Sequence, residues 1–147
     1  MRYLLPISWF VLAAAGLVIA GLQAVFLFGP ASGAALIGIS LVQHLTNSIA
    51  AVALGLVYLY IQSTRPSAAV LVIGTSHLIM AIFSRTAQFI GDGARAALIS
   101  GSDTSSAATI GYAYGAAGIA AVLSGIVFIL ALIVALNTHP PPETDVF

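Results

Sequence analysis

His44, His77, Arg85, Asp92 and Arg95 are the side chains in this sequence best equipped to bind a ligand or move a proton. Each lies in or beside a strongly apolar stretch. In "SLVQHLTNSIA", Ser40, His44, Asn47 and Ser48 follow the i, i+4, i+7, i+8 spacing of one helical face, with Gln43 one residue to the side. In the next apolar stretch, which also holds Thr75 and Ser76, the residues His77, Ser84, Arg85 and Gln88 fall on a second stripe. If that helix continues, Arg85, Gln88, Asp92 and Arg95 share a face, and Asp92 pairs with Arg95 three residues on. Gly91 and Gly93 flank Asp92 and could break the helix instead.

Two kinds of chemistry suit these groups. Two histidines at one depth could ligate a b-type haem. An Arg–Asp–Arg set at a membrane boundary could anchor the chain at lipid headgroups. It could equally dock a partner subunit, a lipid phosphate or a quinone headgroup. Helical rise tests the haem. On an ideal hairpin turning near Thr64–Ser67, His44 lies about 30 Å from the turn, His77 about 16 Å and Arg85 about 28 Å. His44 is therefore expected level with Arg85, and the histidines are expected roughly 14 Å apart along the bundle. His139 lies past the last apolar stretch. A haem would need a ligand from another subunit, and no cofactor or metal is expected for the chain alone.

The elements that carry these residues follow from composition. Of 147 residues, 61% are hydrophobic and 5% charged, with no lysine and no cysteine. A soluble domain carries about 25% charged residues. Lipid or apolar protein must therefore cover most of this surface. The absent cysteine removes disulfides, thiolate metal sites and thiol nucleophiles. The zero formal net charge offers no basic patch for nucleic acid. The expectation is an all-α membrane protein: four transmembrane helices in one up-down-up-down antiparallel bundle, with spans at about 5–28, 34–62, 67–90 and 107–137. Gly29-Pro30 and Arg65-Pro66 end the first two spans, and a proline-rich tail, 138–147, follows the last. The first span is read as a retained helix, since its apolar run exceeds the roughly 7–15 residues of a signal core. Arg2 and Arg65 on one side balance Arg85 and Arg95 on the other, so the positive-inside count is even. The amino terminus tips it towards cytoplasmic termini.

The last span reads "GYAYGAAGIAAVLSGIV". Gly111 and Gly115 form GxxxG, and Gly118 and Gly125 extend a small-residue surface that can pack within the bundle or against another chain. Ala13–Gly16, Ala20 and Gly21 make a similar patch on the first span. In the loop before the last span, Asp103, Ser105 or Ser106 can cap the helix.

No carboxylate lies within an expected span, and there is no phosphate loop or Ser/His/Asp set, so no catalysis is expected. The membrane-embedded glutamate of small multidrug carriers and the lysine of retinal proteins are absent too. The function expected is that of a small non-catalytic subunit packed within a larger membrane complex, an electron-transfer complex being the commonest kind of host. Its contact residues would be His44, Asn47, His77, Arg85, Gln88, Asp92 and Arg95, touching other membrane subunits, lipid or a quinone. The alternatives are a structural membrane protein assembling with itself, a small-solute transporter or channel, and a haem anchor completed by another subunit.

Overall fold

The computed structural model describes residues 3–29, 33–63, 68–102 and 106–137. Arg2, Arg65, Asp103, Ser105, His139 and the proline-rich tail lie outside them, and with Arg2 and Arg65 half of the orientation count. Four helices carry the fold: α1 (Leu4–Phe28), α2 (Gly33–Ser63), α3 (Ala68–Ser100) and α4 (Ala107–Asn137). Among the described residues there is no strand. α1, α2 and α4 are long and apolar enough to cross a membrane. α3 is less apolar because it carries the polar stripe from His77 to Arg95.

Local chemistry explains the helix ends. Pro6 sits in the first turn of α1, where a backbone N–H has no helical partner to lose. α3 ends at Gly101, whose φ of +70° is the left-handed conformation that closes many helices and that glycine adopts without strain. Ser106 caps α4 by accepting a bond from the Thr109 N–H at 3.4 Å.

The expected third span stopped at 90, whereas α3 continues to Ser100. The two glycines beside Asp92 do not break it. Gly91 faces α4, where a Cβ would make an ordinary contact with the Ala116 methyl at 3.4 Å. Because the helix runs on, Arg85 lies near the midpoint of α3 and not at its end.

α4 packs broadly against both α1 and α3, and α1 also packs against α2. α2 and α3 meet only lightly. The inner face of α4 consists largely of alanine: Ala113, Ala116, Ala117, Ala120, Ala131 and Ala135 are buried with Ser124, Val127 and Val134. Their spacing keeps small side chains on one helical face, so the backbones come close. One close approach is at Gly16 of α1. A Cβ there would lie 2.8 Å from the Ser124 carbonyl oxygen and 2.9 Å from the Phe128 nitrogen. One apolar cluster gathers Trp9, Leu12, Val57 and Val134, and a second gathers Phe26, Ile39, Ala113 and Ala117. The polar side chains lie between and beside these clusters.

Candidate functional site

The interior polar groups form three layers. The first centres on Arg95, which is 1% exposed despite its charge. Its Nη2 donates to Gln23 Oε1 at 3.1 Å and its Nη1 to Gln43 Oε1 at 3.3 Å. Nη1 also lies 3.5 Å from Asp92 Oδ1. Gln23 Nε2 donates to Gln43 Oε1 at 2.7 Å, and Gln43 Nε2 faces both Asp92 oxygens at 3.4 Å. Donors and acceptors alternate around this ring, which settles which way the Gln43 amide points. The guanidinium carbon also stands 4.7 Å from the centre of the Phe26 ring, within cation–π range. The charges of Arg95 and Asp92 thus cancel inside a hydrogen-bonded ring, the arrangement that makes a buried pair tolerable.

His44 joins this layer only from outside. Its side chain is 66% exposed, and Nε2 stands 3.9 Å from Asp92 Oδ2. The buried neighbour is Gln43, so the inward face of α2 is rotated by one residue from the stripe of Ser40, His44, Asn47 and Ser48. Ser48 bonds to the His44 carbonyl of its own helix.

The second layer lies at the middle of the bundle. Ser84 and Ser124 share a hydrogen bond of 2.7 Å, and Gln88 Nε2 donates to Ser84 Oγ at 3.4 Å. Arg85 crosses from α3 to α2 and donates to the Asn47 carbonyl at 2.6 Å. Asn47, Arg85 and Gln88 line one cavity, with Asn47 opposite Arg85 where the sequence predicts His44.

The third layer is His77, fully buried with its ring edge-on to Trp9 at 5.4 Å between centres. Neither ring nitrogen has a hydrogen-bond partner among the described residues. His77 and His44 stand in different layers and share no ligand position.

No family model, curated protein or solved structure matches this chain. Its chemistry must be read from the layers themselves. Among the described residues, no group of three or more His, Asp or Glu side chains could hold a metal ion. Asp92 is engaged by Arg95 and Gln43. The network joins α1, α2 and α3.

The outer surface follows a different rule. Thr46, Thr86 and Asn137 bond to the carbonyl four residues back in their own helices. Such bonding satisfies a polar group without water. Gly111 and Gly115 are also on the outside. A Cβ at either, or at Gly118 or Gly125, would meet nothing within 4 Å. Gly111 and Gly115 instead line an apolar groove of about 350 Å³ between α3 and α4, with Phe83, Ile90 and Ile119.

Gln23 and Gln43 were the residues that face periodicity passed over. Gln23 did leave a signal: it stands alone between Gly21-Leu22 and Ala24-Val25 in an apolar run. A lone amide in such a run needs a partner on another helix.

Proposed function

We propose that the chain is a non-catalytic integral membrane subunit. Its four helices cross the bilayer in an up-down-up-down bundle, and it packs within a larger membrane complex. One observation carries this reading: Gln23, Gln43, Gln88 and Arg95 turn inward to polar partners, while the outer face, His44 apart, is largely apolar. Phe89, Leu41 and Val52 are among the exposed large side chains, and the outward hydroxyls bond to their own helices. Such a surface suits lipid and neighbouring helices, not water. The Arg95 ring acts as a structural clasp in this reading, since a neutralised network between helices gives assembly without chemistry.

The glycine groove between α3 and α4 supports contact with another chain, because the bundle's own helices leave it open. An electron-transfer complex is the host class retained from the sequence. The chamber beside Arg85 is water-sized, so the reading places no quinone there. Self-assembly through the same groove is the second reading.

Native mass spectrometry of protein gently extracted from its own membrane tests both. Unlike partner chains at fixed stoichiometry support the subunit. Copies of this chain alone support the self-assembling protein. A bare monomer overturns both and returns the weight to a small transporter.

A further inference from the structure

At the middle of the bundle a small chamber of about 30 Å³ is walled by residues of all four helices. Its walls are mostly apolar, but Asn47, Ser84, Arg85, Gln88 and Ser124 also line it. Two of these present acceptors without a protein partner. Asn47 Oδ1 and Gln88 Oε1 are buried and unbonded among the described residues, and Gln88 as a whole is 2% exposed. Leaving a buried carbonyl oxygen unpaired is costly. Arg85 adds the complementary need. Its hydrogen bond among the described residues goes to the Asn47 carbonyl, and it has no carboxylate partner among them. A guanidinium has five N–H donors, so one bond leaves several to satisfy.

We infer that this chamber is a water-binding site. A water there accepts from Arg85 and donates to Asn47 Oδ1 and Gln88 Oε1. Those three bonds match the usual complement of a buried water, and a chamber of this size holds one or two. A halide would meet two carbonyl oxygens and leave them unpaired. A lipid or quinone headgroup is too large. The water bridges α2 to α3, two helices that pack only lightly against each other. It also supplies the arginine's hydration in place of a carboxylate. This site is a property of the fold and does not depend on which complex hosts the chain.

Water-edited solid-state NMR of the full chain in lipid bilayers tests it. The reference is the Gln23 side-chain amide, which is as buried as that of Gln88 but bonded at both ends by protein. Magnetisation from water should reach the Asn47 and Gln88 amides several-fold faster than it reaches Gln23. Equal build-up at all three overturns the proposal. Gln88→Met keeps the side chain's length and removes its acceptor. It should slow the transfer to Asn47, with Trp9 emission showing that the bundle is intact. An unchanged Asn47 rate in that folded variant also overturns it. The wild-type comparison decides the matter if the variant does not fold.

Discussion

Arg95 Nη2 and Gln23 Oε1 are joined by a 3.1 Å hydrogen bond although 72 positions separate them in the chain. The bond ties α3 to α1, which otherwise face each other diagonally across the bundle. Arg95→Met leaves Asp92 without its main counter-charge and should cost about 3–5 kcal/mol. Gln23→Leu removes one neutral partner and should cost about 1–3 kcal/mol. The double variant should lose less than the sum, because both changes break the same ring. Thermal unfolding in detergent, followed by the emission of the single tryptophan, gives all three values. Additive losses would mean that the ring is not a unit.

At Gly16, α1 lies directly against the α4 backbone. Gly16→Val must push its side chain into the Ser124 carbonyl, which cannot move as a flexible side chain would. Overpacking of this kind costs about 1–3 kcal/mol. Gly21→Ala, whose Cβ meets nothing within 4 Å, is the control and should be close to neutral or stabilising. Melting temperatures of the two variants compare them directly.

His77 is buried against Trp9 with both ring nitrogens unpaired among the described residues. Replacing an unsatisfied polar group by an apolar one of similar shape is nearly neutral or stabilising. His77→Phe should therefore hold or raise the melting temperature and keep the Trp9 emission that of a buried ring. His77→Ala should destabilise by about 2–4 kcal/mol through the cavity it leaves. Loss of assembly in His77→Phe, with stability unchanged, would instead mark His77 as a ligand.

Gly115→Ile tests the outer groove. The residue is exposed, so the bundle should unfold at the same temperature as the parent chain. Association should weaken if the glycines let a neighbouring helix approach. Co-purification of partner chains, or sedimentation in detergent if the protein assembles with itself, reads the difference. Unchanged association would show that lipid covers the groove.

Most of the helical layout was legible in the sequence. Apolar length marks α1, α2 and α4, and Gly29-Pro30 and Ser106 mark helix ends. The end of α3 was not legible. Gly91 and Gly93 read as possible breakers, yet α3 runs through both. The pairing of Asp92 with Arg95 was visible at i+3, because one helix places both residues on the same side.

The chain by itself determined that its polar side chains are few and set among apolar neighbours, and which of them share a helix. Those facts follow from composition and from the fixed rise and turn of a helix. Tertiary structure alone decided which faces turn inward. Gln43 rather than His44 is buried because α2 is rotated to meet Gln23 and Asp92. Arg85 lies at mid-bundle because α3 runs on past its glycines. The GxxxG face looks outward because alanine already supplies the close contact to α1 and α3. Helix rotation is set by the summed packing of all four helices, and a one-residue change in rotation, about 100°, exchanges an inside residue for an outside one.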